Sequence, residues 1–183
     1  MKNTRKLTLT ALLTTMLCIS SFIQIPFYPV PITLQTLFVL LFGLTLPPKY
    51  CALGIASYII LGLMGLPVFA GGVGGLERIF SPSFGFIIAF LISSVTISFL
   101  RKKYTSNSLK TTFALSMLAT IIIYLIGLPY MYFIINLYLK NPMNFMTALR
   151  VGMILFIPGD IVKAIIATVF CEKIKYISQI DAD

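Results

Sequence analysis

Thr111-Thr-Phe-Ala-Leu-Ser-Met-Leu-Ala-Thr-Ile-Ile-Ile-Tyr-Leu-Ile-Gly-Leu-Pro-Tyr-Met-Tyr-Phe-Ile-Ile-Asn-Leu-Tyr-Leu139 contains no charged side chain and is bounded by Lys110 and Lys140. A bilayer core of about 30 Å takes roughly 20 apolar helical residues to cross, so this stretch has the length and character of a membrane span. Three more charge-free stretches run from Leu7 to Pro48, from Tyr50 to Leu76 and from Ile79 to Leu100. The first of them is long enough for two spans. Over the whole chain of 183 residues, 10% are charged and 58% hydrophobic, with a mean hydropathy of +1.00. A soluble domain carries about 25% charged residues, so the fold class is an all-α integral membrane protein.

Proline and glycine divide these stretches. Pro26, Pro29 and Pro31 interrupt the first; proline lacks a backbone donor and restrains the residue before it. They predict an extended connector between a first and a second span. Pro47-Pro48-Lys49 ends the second span and Pro67 the third, and a glycine-rich loop then runs to Ser83. The spans fall at about 7–25, 33–46, 50–66, 84–100, 112–139 and 148–171, in one six-helix domain covering 1–183. A kink or break is expected at Gly127-Leu128-Pro129. The second span is short, about 21 Å at 1.5 Å per residue, so the proline connector must dip to membrane depth. Irregular backbone is tolerated there only inside protein or along a cavity.

The net charge of +9 is arranged as a topology signal. Six spans put Lys2, Arg5, Lys6, Lys49, Arg101, Lys102, Lys103, Lys110, Lys173 and Lys175 on one side, and Arg78, Lys140 and Arg150 on the other. Basic loops stay cytoplasmic, so both termini are expected inside, in the plasma membrane of a prokaryote. Nucleic acid is not an expected partner, because the basic residues form no continuous face. Lys2, Arg5 and Lys6 followed by an apolar run resemble a secretory signal. No small-residue cleavage site follows, and a retained first span is expected. Cys18, Cys51 and Cys171 lie singly in apolar runs and the chain has no histidine, which argues against structural disulfides and zinc.

One ionisable pair falls deep within a span. Asp160 and Lys163 are three residues apart near the middle of the sixth, and so share a helix face. Unpaired charge at that depth is costly and usually faces a cavity or a substrate path. The pair can be an internal salt bridge, a ligand contact or part of a proton relay. Pro158 opens the helix before it, and Gly159 lets a ligand approach the backbone. Gly71, Gly72, Gly74 and Gly75 make a loop whose amides can converge on an anion or serve as a plain linker. Thr33, Gln35 and Thr36 are helix-end hydrogen bonders or pocket donors, and Tyr130 and Tyr132 are interfacial anchors or ligand contacts. Ala11 and Thr15 form a small-xxx-small pair, for packing within the bundle or for docking another subunit. The chain carries no nucleotide-binding motif and no paired carboxylates, a poor endowment for enzymatic acid–base work.

Three segments stand out together: Pro29-Val-Pro-Ile-Thr-Leu-Gln-Thr-Leu-Phe-Val-Leu-Leu41, Gly65-Leu-Pro-Val-Phe-Ala-Gly-Gly-Val-Gly-Gly75 and Pro158-Gly-Asp-Ile-Val-Lys-Ala164. In this order they resemble the BioY family, the biotin-binding S components of energy-coupling factor (ECF) transporters. The resemblance implies a six-helix membrane fold, biotin capture on the outer side, and partnership with a transmembrane coupling subunit and two ATPases. It also implies a docking role for Ala11 and Thr15, where the family pattern has alanine at both places. Biotin then enters as a transported ligand, with no cofactor. Its ureido ring matches Asp160 as acceptor and Lys163 as donor; Phe69 and Phe156 are expected over the thioether ring, and the glycine-loop amides or Arg78 near the carboxylate. An S component for another vitamin and a stand-alone proton-coupled permease are the alternatives.

Overall fold

The computed structural model describes residues 3–103 and 108–180; Lys2 lies outside them. The apolar runs fold as helices in the expected order. Helix α1 spans Asn3–Ser20, α2 Gln35–Thr45, α3 Pro48–Leu63, α4 Phe84–Lys103 and α5 Leu109–Phe133. A wide π-type turn, Ile134–Tyr138, prolongs α5. The last helical run has two parts, α6 (Phe145–Leu149) prolonged by a π-type turn at Arg150–Ile154, and α7 (Ile157–Ile180). Three helices are long and apolar enough to cross a membrane: Phe84–Lys102, Leu109–Tyr138 and Phe145–Lys173. Helices α2 and α3 are apolar but shorter. The described residues thus form a mostly helical membrane protein of six helical units.

The first helix ends earlier than its apolar run. Ser20 and Ser21 turn their hydroxyls back onto Leu17 O and Cys18 O, and the chain leaves as strand β1 (Gln24–Ile25). It returns as β2 (Ile32–Thr33), antiparallel, with Gln24 opposite Thr33. The proline connector is therefore a hairpin, in which Pro26 and Pro29 sit between the paired strands where no ladder donor is needed. The expected break at Gly127-Leu128-Pro129 is absent: α5 runs on through Pro129 and widens only beyond Phe133. The break falls in the last run instead, where the hydrogen-bond ladder lapses around Phe156, next to Pro158.

Small residues set the helix spacing around α4 and α5. A Cβ on Gly127 would lie 2.4 Å from the Phe86 ring, and one on Gly85 would lie 2.3 Å from Tyr130. The two helices trade a glycine for an aromatic ring in both directions. The corner between α2 and α3 is tied by Ser98 Oγ donating to Leu46 O at 2.5 Å, and by the buried Cys51 thiol donating to Phe42 O. Cys171, also buried, donates to Leu44 O. Cys51 and Cys171 thus serve as small packed groups.

Candidate functional site

Helix α2 is only 11 residues long, about 17 Å, yet its first turn reaches the level of Asp160, midway along the 29-residue run Phe145–Lys173. The hairpin before α2 therefore lies within the thickness of the helical bundle. Buried Val30, together with Pro31 and Thr33, walls a cavity there. Ala70 of the glycine loop and Ser83 enclose it from the neighbouring connection, and Phe86, Ile123 and Phe156 form its apolar walls. The space between these atoms, open mouth included, is about 530 Å³.

The polar end of the cavity is built on α7. Asp160 is 5% and Lys163 7% exposed, and Lys163 Nζ donates to Asp160 Oδ1 at 2.9 Å. Asp160 follows the helix break, so it sits in the first turn of α7, where the unpaired amides favour a carboxylate. Thr36 Oγ1 also donates to Oδ1, at 3.2 Å, and the Tyr124 hydroxyl donates to Oδ2. Three side chains, one each from α2, α5 and α7, thus meet at one carboxylate. Both charges face a void rather than lipid, and each keeps hydrogen-bonding capacity toward it.

Gln35 lines the same cavity and is locked in place. Its Nε2 donates to the Tyr58 hydroxyl at 2.6 Å, and its Oε1 accepts from Thr33. Tyr58 meets Phe69 edge-on at 5.5 Å between ring centres, and Phe69 meets Phe84 in the same way. Phe69 borders a second, more polar chamber with Pro29, Val73, Arg78 and Ser81; Pro31, Ala70, Ser83 and Ile87 wall both spaces. Arg78 Nε is buried without a hydrogen-bond partner among the described residues, and the Glu77 carboxylate stands 3.8 Å from it.

Some candidate positions stand elsewhere. Gly71, Gly72, Gly74 and Gly75 line neither space; they shape the loop instead. Gly71, Gly72 and Gly75 take positive φ, and a Cβ on Gly74 would meet Leu66 O at 2.2 Å. Gly159 has open space where a side chain would begin but does not border the cavity. Tyr130 packs on Phe84 and gives its hydroxyl to Ile79 O, outside the cavity. Ala11 and Thr15 are exposed on α1, while Thr10 and Thr14 take the inward face, Thr14 against Gly54 O. The structure adds Tyr124 to the site. A sequence signal for it exists: Thr112, Ser116, Thr120 and Tyr124 recur every fourth residue along α5, all buried, a polar stripe in an otherwise apolar helix.

A sequence profile of the BioY family matches residues 1–179. The chain belongs to the BioY family. Among relatives, the probable biotin transporter BioY of Pyrococcus horikoshii is 36% identical over 171 residues, covering 93% of this chain and 96% of that one. The biotin transporter BioY of Thermotoga maritima is 32% identical over 171 residues, with the same coverage. One from Lactococcus lactis is 34% identical over 176 residues, covering 93% and 90%. A crystal structure of the S-component for biotin from an ECF-type ABC transporter superposes with a TM-score of 0.76 at 32% identity, over 96% of this chain and 95% of that one. BioY relatives thus match this chain along nearly their full length.

Proposed function

We propose that this BioY-family protein binds biotin in the cavity beside Asp160 and Lys163, and serves as the membrane S component of an ECF transporter. The observation that carries the site is a buried carboxylate–ammonium pair opening on a largely apolar cavity. Biotin offers a ureido group with N–H donors and a carbonyl acceptor, a thioether ring and a carboxylate tail. Asp160 accepts a ureido N–H, Lys163 donates to the ureido carbonyl, and Phe156 and Phe86 cover the apolar ring. The tail leads through the shared wall into the second chamber, where Arg78 Nε has no hydrogen-bond partner among the described residues. Gln35 closes the polar end, and Phe69 walls the second chamber. The glycines act through the fold of their loop. A ligand that satisfies both halves of the pair offsets the desolvation of two buried charges, and an analogue without the ureido group leaves both unsatisfied.

The six helical units are six spans with both termini in the cytoplasm, in a plasma membrane of prokaryotic type. This orientation is supported by the concentration of basic residues at the termini and in the 2–3 and 4–5 connections. The hairpin and the glycine loop, which border the cavity mouth, then face outward. Exposed Ala11 and Thr15 on α1 are the docking face for an ECF module, comprising a coupling subunit and two ATPases. Ala11→Trp is expected to prevent co-purification with that module while leaving biotin binding intact; loss of biotin binding instead would place Ala11 in the fold and not at an interface.

Equilibrium binding of labelled biotin to detergent-purified full-length protein tests the site. Wild type is expected to bind saturably, with thiamine and riboflavin failing to compete. Asp160→Asn is expected to bind more than about tenfold more weakly, the worth of a charge-assisted hydrogen bond at about 1.5–3 kcal/mol. Undiminished affinity in that variant would remove Asp160 from the ligand.

A further inference from the structure

We propose that Tyr124 is a positioning residue that keeps the Asp160–Lys163 pair half-open, reserving one carboxylate lone pair for the ligand. The proposal rests on the biotin site above and extends it. An ammonium beside a carboxylate in a dry environment tends to close onto both oxygens, and a closed pair has little left to offer a ligand. Here the closure is blocked from two directions. Oδ1 accepts from Lys163 at 2.9 Å and from Thr36 at 3.2 Å, which fills that oxygen. Oδ2 is held by the Tyr124 hydroxyl, away from the ammonium. A carboxylate has about four lone-pair positions; these three hydrogen bonds take three, and the fourth is on Oδ2 of a residue that lines the cavity.

The ammonium is held open in the same way. Lys163 makes one hydrogen bond among the described residues, to Asp160, and borders the cavity with its remaining donors free. A group carrying an N–H next to a carbonyl, as in a cyclic urea, completes both partners at once. Tyr124 is itself restrained, being 8% exposed on α5. The three elements α2, α5 and α7 therefore converge to set one torsion of one side chain.

If Tyr124 acts through Asp160, its removal matters only for ligands that use Asp160. The test compares biotin with two cyclic carbamates, each having one ureido N–H replaced by oxygen, on wild type and Tyr124→Phe by equilibrium binding. In wild type, one carbamate is expected to bind at least about 30-fold more weakly than biotin, because its ring oxygen faces the open lone pair of Asp160. Tyr124→Phe is expected to weaken biotin about tenfold, and to change the affinity of that carbamate by less than about threefold. An equal loss for all three ligands would make Tyr124 a wall residue, and no loss for biotin would remove it from the site; either overturns the proposal. Should Tyr124→Phe not fold, Tyr124→Leu, which also removes the hydroxyl, decides in the same comparison, with the same selective loss expected. Failure of wild type to bind biotin at all counts against the biotin site, not against the pairing of Tyr124 with Asp160.

Discussion

Asp160 and Lys163 are two opposite charges in a protein with little water around them, and the cost of each depends on the other. Removing one partner leaves a buried charge unanswered, which typically costs about 3–5 kcal/mol. Lys163→Met is therefore expected to lower the thermal midpoint of the detergent-purified protein sharply. The double variant Asp160→Asn/Lys163→Met is expected to regain most of that stability while remaining unable to bind biotin. A double variant as unstable as the single one would mean that the lysine matters for its packing and not its charge. The pair was visible in the sequence because charge inside an apolar run has few innocent explanations. Of its helpers, Thr36 stood among the candidate pocket donors and Tyr124 did not. They reach Asp160 from sequence separations of 124 and 36 residues, which no local pattern reveals. Tyr130 drew notice for its place near a span end, and its hydroxyl turned out to be satisfied by a loop carbonyl.

At the level of helices and connections, the charge-free runs marked the first five helical units, and the proline triplet marked the connector. Which residues bend was less legible. Pro129 sits inside α5 without ending it, whereas Pro158 stands in the first turn of α7, where its missing N–H is of no consequence. The difference lies in neighbours that bonding along one chain segment does not reveal. The hairpin and the shortness of α2 are coupled: the hairpin fills the depth that α2 does not span, and the cavity is the space left between them. Gly127 governs the far wall. Gly127→Val would place atoms where the Phe86 ring now lies, 2.4 Å from the first added carbon, and Phe86 borders the cavity. The substitution is expected to destabilise by about 1–3 kcal/mol, the usual cost of overpacking, and to weaken biotin binding as Phe86 moves inward. Normal affinity with normal melting would show that α4 and α5 can separate freely at this level.

Across the whole molecule, the proposed orientation has the cavity opening outward between the hairpin and the glycine loop, with most of the basic residues toward the other end of the bundle. On that reading, capture occurs at one face and exchange with an energy-supplying partner near the other. Single cysteines placed at Asn141 and Lys49, in a Cys18→Ala background with Cys51 and Cys171 buried, test the orientation in intact cells. Asn141→Cys is expected to react with a membrane-impermeant maleimide from outside, and Lys49→Cys only after permeabilisation. The reverse pattern would turn the cavity mouth toward the cytoplasm.

The most direct test is an experimental structure of the full chain with biotin bound. The ureido ring is expected within hydrogen-bonding distance of both Asp160 Oδ2 and Lys163 Nζ, with the carboxylate reaching toward Arg78. Biotin seated anywhere else, with the Asp160–Lys163 pair untouched by ligand, would contradict the assignment of this pair as the recognition element.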